Sequence, residues 1–296
     1  MAADFLNTQT AGWYRFNLGK FECTVVSDGP TLDPNGAAAL FPKSDPEQVN
    51  SFRTKNFLPT DSCAFAQNTL IVNTGRDLVL IDTGMGASIL MGPHTGRLLR
   101  NMRASGIDPE QIDLVLLTHA HPDHAFGLVD DEGNKNFPKA GVVLSELDFE
   151  YWTDESKLSN SDVTALVVAG IRKNVLPYED QLIMPKDGKE VIPGITAVAT
   201  PGHTHGHYIY LIQSEGQVLV NMGDLCHDHL GELAHPEWKF LYDTDSDMAV
   251  KTRMRMFEQI ANEEMCVLGY HFPWPGYGRL RPEKSGYTYI PIPQSL

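Results

Sequence analysis

The stretch LLTHAHPDHAFG, Leu116 to Gly127, gathers His119, His121, Asp123 and His124 within six residues. It reads either as a polar surface loop or as a metal site, and the rest of the chain has to decide. The residues just upstream, IDLVLLTH (112–119), form a nearly continuous apolar run, the pattern of a strand buried on both faces. The histidines therefore stand at the carboxyl end of a buried strand. His119 and His121, two apart where a strand gives way to a turn, can point the same way and share one cation. Asp123 and His124 are neighbours on the following turn and suit a second cation. Neutral imidazole and carboxylate are ligands that zinc, iron and manganese accept without thiolate help.

One such cluster does not fill two coordination spheres, so further donors are expected at other strand ends. TPGHTHGH supplies His203 just past a strand at 195–200, NMGDLCHDH supplies Asp224 after 217–223, and LGYHFPWPG supplies His271 at the end of a last short strand. Strand termini are where α/β folds gather their sites. Separate segments converging on one chemistry favour the metal reading over the surface loop.

The remaining pattern runs in two rounds. FECTVVSDG (21–29), NTLIVNTG (68–75) and DLVLIDTG (77–84) are β-branched runs closed by turn residues. GRLLRNMRASG (96–106) has helical spacing and a glycine stop. The second round brings strands at 140–145, 195–213 (strand, turn, strand), 217–224 and 266–272, with a helix at 162–174. A further helix over 248–265 carries Val250, Met254, Phe257, Ala261 and Met265 on one face. Two rounds predict two sheets packed face to face with helices outside, a four-layer αββα sandwich in the α/β class. No linker or repeat divides the chain, so residues 1–296 are expected to be a single domain, with 1–20 as an N-terminal extension.

Composition narrows the function. A formal charge of −15, from 38 acids against 23 bases, repels a phosphate backbone and disfavours a nucleic-acid role. Cys23, Cys63, Cys226 and Cys266 are scattered without a C-x-x-C pair, giving neither a disulfide framework nor a thiolate zinc site. The N-terminus lacks a basic start followed by an apolar run, and no window reads as a membrane span. The expected compartment is the cytoplasm, or the periplasm or exterior if a leader has been removed. No G-x-S-x-G elbow suggests a serine nucleophile.

THAHPDH, TPGHTHGH, GD and the late YHF resemble, in order and spacing, the metallo-β-lactamase-fold hydrolases, over almost the whole chain from LIDTG to FPWPG. Carried over residue by residue, the resemblance implies that His119, His121 and His203 hold one divalent ion and that Asp123, His124 and His271 hold another, with Asp224 bridging. Zinc is the first expectation, with iron, manganese or cobalt as alternatives. A hydroxide shared by cations about 3.5–4 Å apart would be the nucleophile. Asp82 in LIDTG matches a carboxylate that steadies a ligand histidine, and His207 falls behind the ligands rather than among them.

GWYRFNLGKFECTVVSDG near the start and HFPWPGYGRL…GYTYIPIP at the end are similar to methyl parathion hydrolase and its lactonase-like relatives. That branch implies a small, neutral, fairly apolar substrate (a lactone, aryl ester or organophosphate triester) and a homodimer using the N-terminal segment. A glyoxalase II-like thioesterase, for which the only basic cluster, RLRPEKSG (279–286), reads as a solvated loop rather than a clamp, and a diiron redox protein on the same fold are the alternatives. Phe126, Tyr151, Trp152, Trp238 and Trp274 are candidate pocket aromatics, Trp152 and Phe126 foremost. His227 lies three residues after Asp224, where related lactonases carry a tyrosine that polarises the scissile carbonyl. With Asp123 and Asp224 it completes the candidate catalytic residues; His94, His205, His229 and His235 read as loop histidines.

Overall fold

The computed structural model describes residues 11–159 and 163–293. Residues 1–10, on which the expected dimer segment partly falls, and Asp162, at the start of the expected helix, lie outside the described residues.

Among the described residues two seven-stranded sheets are formed; the strand at 141–143, expected in the second round, belongs to the first. The first orders its strands Trp13–Leu18, Phe21–Ser27, Asn68–Asn73, Leu78–Ile81, Leu114–Leu116, Gly141–Val143 and Leu182–Ile183. The second orders Lys189–Ile192, Ile195–Ala199, Tyr208–Ser214, Gln217–Asn221, Cys266–Leu268, Tyr277–Pro282 and Tyr287–Pro291. Their inner faces share one core, in which Val25, Leu70, Val72 and Ile81 meet Ala197, Tyr210, Ile212 and Leu268. Leu98–Ala104 and Val163–Val175 cover the outer face of the first sheet, and Ser246–Asn262 covers the second. The αββα order follows from this: each sheet alternates its apolar side chains to both faces and must be covered twice.

Four details depart from the sequence reading. Residues 13–18, expected within an extension, are the edge strand of the first sheet, paired with Phe21–Ser27 through a tight turn at Gly19 (φ 56°). The helix at 246–262 turns the expected stripe inward only in part: Phe257 and Ala261 are buried as expected, together with Ala249, Thr252, Arg253, Met256 and Ile260, while Met254 is exposed. Thr252 and Arg253 hid that face because both are polar. RLRPEKSG, expected as a loop, instead forms part of the closing hairpin, with 279–282 in the strand Tyr277–Pro282. The segment 31–65, for which no structure was expected, carries the small sheet Thr31–Asp33/Cys63–Phe65 and the helix Pro46–Lys55. Its polar helix starts at Asp45, whose side chain accepts from the Glu47 N–H.

Strand direction positions the site. Leu78–Ile81 and Leu114–Leu116 run parallel in register, Ile81 beside Leu116, and Gln217–Asn221 runs parallel to Cys266–Leu268, Asn221 beside Leu268. Residues immediately after these strands therefore emerge side by side: Asp82 beside Thr118, and Asp224 near His271. The ligand run then folds back over the turn at 83–84, where the His124 carbonyl accepts from Thr83 N at 2.7 Å and Gly127 N donates to the Gly84 carbonyl. Gly127 approaches so closely that a Cβ would sit 1.9 Å from the Thr83 carbonyl oxygen. Gly127→Ala is therefore expected to lower unfolding stability by about 1–3 kcal/mol in urea titration; an unchanged midpoint would show that this contact yields freely.

Candidate metal centre

The turn after Leu114–Leu116 sorts the motif into two groups. His121 is extended and caps the short helix Pro122–Ala125, with Pro122 at its first position. The chain reverses there, so Asp123 and His124 face a different direction from His119 and His121. Donor atoms of His119, His121, His203 and Asp224 lie within 4.8 Å of one another, as do those of Asp123, His124 and His271.

Asp224 joins the groups. Its Oδ1 lies 3.2 Å from His124 Nε2 and 3.3 Å from His271 Nε2. Its Oδ2 lies 3.2 Å from His203 Nε2, 3.1 Å from His227 Nε2 and 3.7 Å from His119 Nε2. Burial alone would push this carboxyl up, but His124, His271, His227 and His119 overrule it and hold it well below the usual range. Burial keeps His119 and His121 well below the usual imidazole range, and hence neutral. Burial would lower His124 and His203 as well, but the carboxylates facing them raise both; neutral imidazole with ionised carboxylate is the donor set that a divalent cation takes in place of those protons.

Hydrogen bonds fix which nitrogen each ring offers. His124 Nδ1 faces Asp82 Oδ2 at 2.9 Å, His203 Nδ1 faces Asp243 Oδ1 at 3.0 Å, and His271 Nδ1 faces the Ala66 carbonyl at 2.9 Å. Each Nδ1–H is thereby committed to an oxygen, leaving the Nε2 lone pair for the centre. His207 is neutral, held down to about 3 by burial. Its Nε2 accepts from the Asp224 N–H at 3.0 Å, so its Nδ1–H donates to Thr200 Oγ1 at 2.8 Å. It positions the Asp224 backbone and points no donor atom at the cluster. Buried side-chain atoms left without a hydrogen-bond partner include His119 Nε2, His124 Nε2 and Asp224 Oδ1. The 3.2 Å approach of His124 to Asp224 is an ion-pair distance without hydrogen-bond alignment. Orphaned buried polar atoms cost about 1–3 kcal/mol each, and cations among them satisfy all three together. The residues present fit divalent metal.

The structure also places the candidate aromatics. Trp152 stands edge-on to His121, with ring centroids 5.2 Å apart. Phe126 is elsewhere: it packs in the outer layer of the first sheet, its ring where a Cβ on Gly170 would stand. Its side chain left the cluster because the turn after His124 reverses it outward. Trp238 packs with Phe41 and Phe240 in a satellite core, Tyr151 stands edge-on to Trp152 and His205, and Trp274 lies against the inter-sheet core. His227 is buried, stacked on Phe240 at 3.8 Å, rather than a surface loop residue. Phe65, edge-on to His271, and Phe240 border the centre without having been singled out from sequence.

Sequence reasoning also missed the groups behind the donors. Asp148 accepts from Ala120 N, Thr204 Oγ1 and Gly206 N, tying the 119–121 turn to the 203–207 loop. Asp243, Glu232 and Arg253 back His203 and His227. A charged residue on the buried stripe of an amphipathic helix, as Arg253 is, was the available signal. Asp82 takes φ 63°, a left-handed backbone uncommon outside glycine, while accepting from Thr118 N and facing His124. Asp82→Ala is expected to weaken metal binding about 10–100-fold in chelator competition, with the folded far-UV spectrum retained; unaltered affinity would remove Asp82 from the site.

Known proteins carry the same architecture. The family described as the Metallo-beta-lactamase superfamily matches residues 64–253. An N-acyl homoserine lactonase from a Bacillus species is 24% identical over 220 residues, 68% of this chain and 79% of that one. A hydrolase of the beta lactamase superfamily, AbOPH, is 33% identical with a TM-score of 0.90, covering 97% of this chain and 100% of that one. AidC, a dizinc quorum-quenching lactonase solved with a product, is 28% identical with a TM-score of 0.88 over 96% of this chain and 99% of that one. The chain belongs to the metallo-β-lactamase superfamily and is a metal-dependent hydrolase.

Proposed function

We propose that this enzyme hydrolyses lactones and related neutral esters, aryl esters and organophosphate triesters among them, at a centre of two divalent ions, zinc first. The observation that carries the reading is the division of Asp224, one carboxylate oxygen toward His124 and His271 and the other toward His203 and His119. In this reading His119, His121 and His203 hold one ion, Asp123, His124 and His271 the other, and Asp224 serves both. Paired ions supply a hydroxide nucleophile at neutral pH and draw charge from the carbonyl or phosphoryl oxygen.

The chain's own residues decide what enters. Trp152, Phe65 and Phe240 wall the donors with aromatic surface. Basic side chains on the flanking segments are already engaged: Arg53 with Asp228, Lys239 with Asp247, and Arg253 with Glu232. An anionic substrate would find no free clamp among these, and the net charge of −15 would repel it. The basic hairpin that a glutathione thioester would need is likewise engaged, Arg281 with Glu283 and Arg279 with the Glu264 carbonyl. Lactonases among the similar proteins support the lactone as the first substrate class.

His227 is the proposed electrophile. Its Nε2 faces Asp224 Oδ2 at 3.1 Å and its Nδ1 lies 3.5 Å from Glu232 Oε2. A carboxylate behind one nitrogen aims the other at the reacting group and favours a protonated ring. Such a ring can donate to the carbonyl oxygen or to the departing alkoxide.

A screen of lactones, aryl esters, phosphotriesters and β-lactams on zinc- and manganese-loaded protein is expected to show lactones turned over fastest. Chelation should abolish that rate and added metal restore it; hydrolysis that survives metal removal would overturn the reading. His227→Ala is expected to lower kcat about 10²–10⁴-fold at unchanged metal content, and an undiminished kcat would end its assignment.

A further inference from the structure

Arg253 is the largest of the fully buried side chains, at 1% exposure on the helix Ser246–Asn262. A guanidinium carries five N–H donors and no acceptor; here Nε and Nη1 are hydrogen-bonded to carbonyls, while Nη2 lies at ion-pair distance from two carboxylates. Nε donates to the Leu225 carbonyl at 3.0 Å, and Nη1 to the Pro236 and Trp238 carbonyls at 3.2 and 2.7 Å. Nη2 meets Glu232 Oε1 at 2.7 Å and Asp243 Oδ2 at 3.6 Å.

Each of those carboxylates turns its other oxygen toward a histidine. Asp243 Oδ1 faces His203 Nδ1 at 3.0 Å. Glu232 Oε2 accepts from the His227 backbone N–H, which is 2.6 Å away, and from the Asp228 N–H. The opposite side of the centre has different anchors: His124 rests on Asp82 and His271 on the Ala66 carbonyl, neither of which Arg253 contacts. Burying a guanidinium and two carboxylates is expensive unless the geometry satisfies all of them, and this arrangement spends that cost on only one flank.

We propose that Arg253 is a positioning residue for one half of the metal centre. Through Asp243 it fixes the ring of His203, and through Glu232 the backbone at His227, so that retention of the ion at His119, His121 and His203 depends on the outer helix of the second sheet. Retention at Asp123, His124 and His271 does not. The proposal rests on the two-ion reading above. Arg253 touches neither the donor atoms nor the space between them and acts only through the two carboxylates.

Chelator titration of the zinc-loaded full chain tests it. Wild type should release two ions per chain. Asp243→Ala, and more strongly Arg253→Lys, should release one of them at about 10–100-fold lower chelator concentration and the other as in wild type. Lysine keeps the charge but has too few donors to span five oxygens. Ring-nitrogen NMR identifies the ion lost: His203 should lose its zinc-induced shift while His124 and His271 keep theirs, and Asp82→Ala should give the converse. In metal-free protein the His203 proton should sit on Nδ1 in wild type and lose that preference in Asp243→Ala.

A merely structural role would loosen both ions together. Equal loss of both, or loss of neither, in a folded variant therefore overturns the proposal. If Arg253→Lys does not fold, Asp243→Ala, which leaves the Arg253–Glu232 pair intact, decides alone. Wild type retaining a single ion would instead overturn the two-ion reading and the proposal with it, a result distinguishable because no variant is needed to see it.

Discussion

A carboxylate buried among five imidazoles is the constraint around which this molecule is arranged. Asp224 is 3% exposed, and His124, His271, His203, His227 and His119 approach its two oxygens from both sides. Left to itself, such a group would take up a proton rather than stay charged in so dry a place. Protonated imidazoles reverse that preference; for a cation to replace those protons, the rings need their Nδ1 protons held so that lone pairs face inward. Asp82, Asp243 and the Ala66 carbonyl do this for His124, His203 and His271.

The two-sheet architecture exists, from the site's point of view, to bring those segments together at one edge. Parallel pairing of Leu78–Ile81 with Leu114–Leu116, and of Gln217–Asn221 with Cys266–Leu268, delivers Asp82, the ligand run, Asp224 and His271 at adjacent strand ends. Asp148 then stitches the turn of one sheet to the loop of the other through Ala120, Thr204 and Gly206. The shared core of the sheets sets how closely the 119–124 turn approaches the segments of the second sheet that carry His203, Asp224 and His271. The segment 31–65 adds a wall, bringing Phe65 against His271.

Charge and chemistry are balanced against one another. The acidic surface and the engaged basic side chains leave any bound cations as the positive feature at the site. A neutral substrate entering between aromatic walls would meet that positive charge only at its reacting oxygen, where charge develops during attack. The same acidity makes a polyanionic partner an unfavourable guest.

Much of this was legible along the chain. The spacing of His119, His121, Asp123 and His124 at the end of an apolar strand, with His203, Asp224 and His271 after later strands, was enough to indicate a metal site in a two-sheet α/β fold. Alternation and strand-end placement are local properties, written in neighbouring residues. Phe126 shows the limit, since its position beside the motif said nothing of the turn that sends its ring toward Gly170. Asp148, Glu232, Asp243 and Arg253 show it again: their roles depend on partners such as Gly206, His227, His203 and Leu225. The sequence by itself determined the kinds of donor and the fold that gathers them. Only the tertiary structure decided which oxygen orients which imidazole, because that is settled by side chains converging from loops whose courses no local pattern encodes.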